Sequence, residues 1–215
     1  MLCPDLVCPD PVCHLRESLE RRWVMSQSRI MTAVAQHVER VTKSFELQSE
    51  ELAGLVEQVV NGFYHEQKLL LAASGALGDV ANLIANQFLH RLHFERPQLP
   101  AVSLCHDLTL AASLARHNLD DQYYARQLQM LAASGDLLLI LADGQHDAAI
   151  DAAIQVARDK ECAIAVLCPA RPGWNGPAID FKLELEADNT GELAETALLF
   201  GRLLCELVEH ELFGI

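Results

Sequence analysis

Apolar residues Ile30, Val34, Val38, Val41 and Phe45 recur three or four positions apart between residues 26 and 47, with His37 beside them. That spacing predicts one face of a helix. Leu52, Leu55, Val56, Val59, Val60 and Phe63 repeat the pattern, and Asn61-Gly62 reads as a helix end, so residues 25–66 predict an N-terminal helical pair. Two amphipathic helices ahead of any strand cannot bury both faces alone, and they are expected to serve oligomerisation. After Gln67 the rhythm changes to short apolar runs alternating with helical stretches, the pattern of βαβ units and a parallel sheet. Strands are predicted at 68–73, 101–105, 136–142, 162–168 and 179–185, and helices at 77–92, 107–116, 120–133, 146–159 and 191–212. In open parallel sheets ligands sit beyond the carboxyl ends of the strands, where the strand order reverses. With order 2-1-3-4-5 that crevice lies between the loops Ser74–Gly78 and Asp143–Asp147.

Charge narrows the function classes. Thirty acidic residues against sixteen Lys and Arg give a net charge of −14, and no basic run offsets it, which argues against direct nucleic-acid binding. No apolar run approaches the ~20 residues that span a bilayer, so no membrane association is expected. Of seven cysteines, Cys105, Cys162, Cys168 and Cys205 fall inside predicted elements as small apolar fillers, which fits a reducing cytoplasm. Cys3, Cys8 and Cys13, with His14, lack the paired spacing of a zinc site. Neither a metal nor a cofactor is expected. Residues 1–24 share no periodicity with the rest of the chain and read as an irregular extension, dispensable or preceding a true start at Met25.

Three stretches carry a resemblance: FERPQLPAVSL (94–104), LDDQYYARQLQMLAASGDLLLIL (119–141) and LLFGRLLCELVEHELF (198–213). Together they resemble the sugar isomerase (SIS) domain family, in the branch shared by sedoheptulose 7-phosphate isomerase and the initiator-associating protein DiaA. The resemblance runs from Met25 to the end, with residues 67–215 as the SIS domain. It implies an α/β, flavodoxin-like three-layer sandwich with a five-stranded parallel sheet, an N-terminal helical pair, and a homotetramer.

The resemblance also implies two phosphate-gripping loops, in which glycines admit the anion to backbone amides and hydroxyls donate to it. Here the first loop aligns as Ala73, Ser74, Gly75, Ala76 and Leu77, with leucine in the serine column. The second aligns as Ala142, Asp143, Gly144, Gln145, His146 and Asp147, which trades hydroxyls for carboxylates. Like charges about 4 Å apart repel by roughly 1 kcal/mol even in water, enough to cancel one hydrogen bond. Both loops therefore read as a degenerate phosphate site. The family's catalytic glutamate falls at Asn86 or Gln87 and its histidine at Ala197, so no catalytic pair is expected.

Other candidates have plainer readings: Asp107 as a helix cap beside His106, His90 and His93 at a helix end, and Trp174 as a loop aromatic that either packs or makes a contact. The apolar pair Leu212 and Phe213 at the chain end is expected to contact a protein partner. The sequence is accordingly read as a non-catalytic, cytoplasmic DiaA-type scaffold that binds the replication initiator DnaA. The alternatives are a sedoheptulose 7-phosphate (phosphoheptose) isomerase with relocated catalytic groups and a sugar-phosphate-binding sensor.

Overall fold

The structure, a computed structural model, describes residues 11–214, with side chains from residue 26. The chain divides into two compact units, Met1–Arg40 and Val41–Ile215. Helix α1 (Pro11–Tyr64) begins in the first. The two amphipathic stretches expected as a helical pair are thus one continuous helix. The cause is local, because the linking FELQSEELA (45–53) contains neither Gly nor Pro and is rich in helix formers. Residues 11–24, expected to be irregular, also belong to α1; residues 1–10 and the side chains of Cys13 and His14 lie outside the described part.

In the second unit α1 is followed by β1 (Leu69–Ala73), α2 (Leu77–Leu89), β2 (Ala101–Ser103) and α3 (Leu108–Ala115). A 3-10 turn leads into α4 (Tyr123–Leu131), then β3 (Leu137–Leu141), α5 (Ala148–Asp159), β4 (Ala163–Pro169), β5 (Phe181–Leu185) and α6 (Thr190–Phe213). The strands form one parallel sheet in the order β2-β1-β3-β4-β5, as the sequence predicts. Leu69 of β1 pairs with Ala101 on one side and Leu137 on the other.

Every residue of β1 and β3 is buried. Such strands read as continuous apolar runs because helices cover both faces. Successive side chains alternate between faces. Leu69, Leu71, Leu137 and Leu139 join a core with Leu55 and Val59 of α1, Ile84 and Phe88 of α2, and Phe200 and Leu204 of α6. On the opposite face Leu70, Leu138 and Ile140 pack with Tyr124 and Leu128 of α4 and Ile150 and Ile154 of α5. The α/β three-layer sandwich is therefore as expected. No helix among the described residues is long and apolar enough to cross a membrane.

Two buried polar clusters fix the frame. Asp136, 1% exposed, accepts from the backbone N–H groups of Lys68 (2.9 Å) and Ala133 (2.8 Å) and pairs with Lys68 Nζ at 2.6 Å, which joins the starts of β1 and β3. Arg96 donates to the carbonyls of Gln87 and Phe88 at the end of α2, at 2.9 and 2.8 Å, and pairs through Nε with Glu209 of α6 at 2.6 Å. This is the physical content of the ERPQLPA stretch. One guanidinium caps a helix that lacks a basic last turn and ties it to α6.

Candidate functional site

Two loops leave the sheet side by side at the carboxyl ends of β1 and β3. Ser74 N–H donates to the Leu141 carbonyl and Ala142 N–H to the Leu167 carbonyl, each at 2.8 Å, so both loops start as extensions of the strand ladder. The chain then turns at Gly75 (φ 51°) and Gly144 (φ 86°). A side chain at 144 would bring Cβ within 2.8 Å of Pro169 Cγ, so only glycine fits there. From α4, the Tyr124 hydroxyl donates to the Ala73 carbonyl at 2.5 Å and anchors the base of the first loop. Burial beside that hydroxyl pushes the Cys105 thiol up, so it stays protonated and unreactive near neutral pH.

Between the loops and the segment after β4 lies a cleft of about 140 Å³. Ser74, Gly144, Gln145, His146 and Asp147 line it, together with Ile150 and Asp151 of α5 and residues 173–176. The remaining loop residues named from sequence are not among those lining the cleft. Leu77 and Ala142 are core, at 1% and 2% exposure, and Ala76 is the N-cap of α2 without a side-chain bond.

The loop carboxylates are partly occupied. Asp143 accepts from Gln145 N–H at 2.9 Å, and Asp147 caps α5 by accepting from Ala149 N–H at 3.0 Å. His146 Nδ1 lies 3.4 Å from Asp151 Oδ2. Ser74 differs from these, because its side chain is 3% exposed and its Oγ has no hydrogen-bond partner. A buried hydroxyl left unpaired costs about 1–3 kcal/mol. No three His, Cys, Asp or Glu side chains among the described residues gather as a metal-ligand set.

Asn86 and Gln87 sit on α2 and Ala197 on the facing side of the core in α6. Asn86 is exposed, the Gln87 Oε1 is buried without a partner, and Ala197 is 1% exposed. None of these groups takes up a proton at neutral pH. Asp107 caps α3 by accepting from Leu110 N–H at 2.8 Å, while His106 faces Asn82 at 3.4 Å. Leu212 packs on the core and Phe213 is 37% exposed.

Sequence reasoning overlooked Asp151, hidden in the first turn of α5 as one acidic residue among many. It also left Trp174 undecided, because nothing local ties the segment after β4 to loops far upstream.

The chain is 32% identical over 146 residues to the phosphoheptose isomerase of Solidesulfovibrio magneticus, covering 68% of this chain and 71% of that protein. The chain belongs to the SIS family, in its phosphoheptose isomerase branch. A second relative of this SIS protein, the phosphoheptose isomerase of Methylococcus capsulatus, is 26% identical over 189 residues, covering 86% of this chain and 97% of the other. Among solved structures, the phosphoheptose isomerase of Francisella tularensis has the same fold, with a TM-score of 0.76 at 22% identity over 86% of this chain and 98% of that one. No family model matches the SIS chain. These relatives correct one expectation from sequence. A non-catalytic DiaA-type scaffold binding DnaA is not what they support, since they are phosphoheptose isomerases and nothing among them points to an initiator. The isomerase alternative is the one they back.

Proposed function

We propose that this protein is a sugar-phosphate isomerase of the phosphoheptose class, acting on its substrate in the cleft between the β1 and β3 loops. The observation that carries this reading is the cleft itself, set at the carboxyl ends of β1 and β3 between the glycine turns at 75 and 144, with the buried Ser74 at its wall. The relatives named above supply the reaction class.

Aldose–ketose isomerisation moves a proton between adjacent carbons through an enediol, with no net gain or loss of electrons. A base removes the proton from the carbon beside the carbonyl, and an acid delivers one to the neighbouring carbon. Asn86, Gln87 and Ala197 supply neither. His146 is the group in the cleft suited to both steps, and Asp151 lies beside its Nδ1 at 3.4 Å, placed to orient the imidazole. Sedoheptulose 7-phosphate incubated with the protein in D2O is expected to interconvert with its aldose isomer and to incorporate deuterium at the carbon next to the carbonyl. His146→Ala is expected to lower kcat roughly 10²- to 10⁴-fold. Absence of both turnover and exchange by the unsubstituted protein sinks the proposal.

Binding without turnover is favoured by one observation, the amides at 86 and 87 and the methyl group at 197. In the same assay it would give thermal stabilisation by the sugar phosphate with no exchange. The protein is proposed to work in the cytoplasm as the homotetramer that the family resemblance implies, assembling through α1, where Ile30, Val34 and Val38 are exposed at four-residue spacing.

A further inference from the structure

We infer that Trp174 is the sugar-recognition surface of the cleft: its ring stacks on the C–H face of the sugar while His146 and Asp151 take the hydroxyls. This inference rests on the reading that the cleft holds a sugar phosphate, and it deepens that reading by naming how the sugar is distinguished.

The ring is built into place. Its Nε1–H donates to the Pro177 carbonyl at 2.8 Å, so the one polar group of the indole is satisfied within its own loop. Gly176 lies directly against it, and a Cβ there would come within 2.2 Å of Trp174 Cζ2, so any side chain at 176 would displace the ring. Gly173 turns the chain at φ 83°, a conformation that L side chains rarely adopt. The ring packs on the cluster formed by α4, α5 and the sheet, where Ile179 packs as well. What it contributes to the cleft is therefore apolar area from a rigid group, with no donor left over.

The polar groups that line the cleft include no lysine or arginine. Asp147 and Asp151 are acceptors only when ionised, His146 donates or accepts according to tautomer, and Ser74, Gln145 and Asn175 each bring a neutral donor and an acceptor. An aromatic face beside acceptors and neutral donors suits a molecule with C–H groups on one side and hydroxyls at its edge, which describes a sugar. It does not suit a bare anion, which would meet two carboxylates and no cation. The sugar part, rather than the phosphate alone, is what this wall selects.

The test uses Trp174 as its own reporter. The chain has two tryptophans, so Trp23→Phe leaves Trp174 as the sole indole, and the converse Trp174→Phe gives the background. The probes are sedoheptulose 7-phosphate, the unphosphorylated sedoheptulose and inorganic phosphate. Saturable changes in Trp174 emission are expected with both sugars and none with phosphate. Trp174→Ala should raise KM roughly tenfold with kcat little changed, the loss of one aromatic contact, and Trp174→Phe should recover most of it. Turnover by the unsubstituted protein without an emission change overturns the inference and leaves the isomerase reading standing. An emission change without turnover does the reverse. A response to inorganic phosphate alone, or to neither sugar, also overturns it.

Discussion

Ser74 concentrates the conflict between stability and binding in a single hydroxyl. Its Oγ is buried and has no hydrogen-bond partner among the described residues, which costs stability unless something accepts from it. Ser74→Ala is therefore expected to leave unfolding free energy unchanged or raise it by up to about 1 kcal/mol in urea titrations, while weakening sugar-phosphate binding at least tenfold. Destabilisation of the ligand-free protein by more than that would mean the hydroxyl already has a partner. Thiols raise a second question at this scale. Burial pushes Cys162 up to about 11 and Cys168 and Cys205 up to about 12. Raised values favour the protonated native state, fully so below the ordinary value of 9.0, and stability drains away as pH climbs from there toward 12. At pH 8 Ellman's reagent should leave these three untouched in native protein and label them on denaturation. Rapid native labelling would contradict the burial.

Between elements, α2 and α6 approach closely. A Cβ at Gly201 would meet Ile84 Cγ1 at 2.2 Å, so the two helices touch through a glycine that no local rule demands. Alanine would gain about 1 kcal/mol in an isolated helix, whereas overpacking a tight core typically costs about 1–3 kcal/mol. Gly201→Ala should lower Tm, and adding Ile84→Ala should relieve part of the clash in a double-mutant cycle. A neutral or stabilised single variant would show the helices free to separate. Arg96 acts at the same scale, since its pairing with Glu209 and two α2 carbonyls explains why Arg-Pro stands where the α2 connection turns back toward β2.

For the whole molecule, the apolar stripe Ile30, Val34 and Val38 on α1, exposed at 60%, 50% and 56%, is the face through which the proposed tetramer would assemble. Four copies of the 23.7 kDa chain are the expected mass by light scattering, and Val34→Lys with Val38→Lys should reduce it. A monomeric unsubstituted protein would remove the tetramer from consideration. The charge of −14 keeps its own meaning at this scale, as repulsion of other polyanions.

Periodicity along the chain determined the α/β class, the five strands and their parallel pairing, because alternation and helical spacing are local consequences of burial on one or two faces; the strand order that places the crevice came from the family resemblance and is the order of the folded sheet. The same locality misled at residues 45–53 and 11–24, where nothing in the pattern distinguishes a continued helix from two. No single column of sequence shows that the carboxylates of the second loop also accept from backbone amides of their own segment. Only the folded chain brings Ser74, the His146–Asp151 pair and Trp174 around one cleft, since these three segments are far apart in sequence and meet through strand order. Whether a hydroxyl is buried without a partner is a property of everything packed around it, and no stretch of sequence contains that.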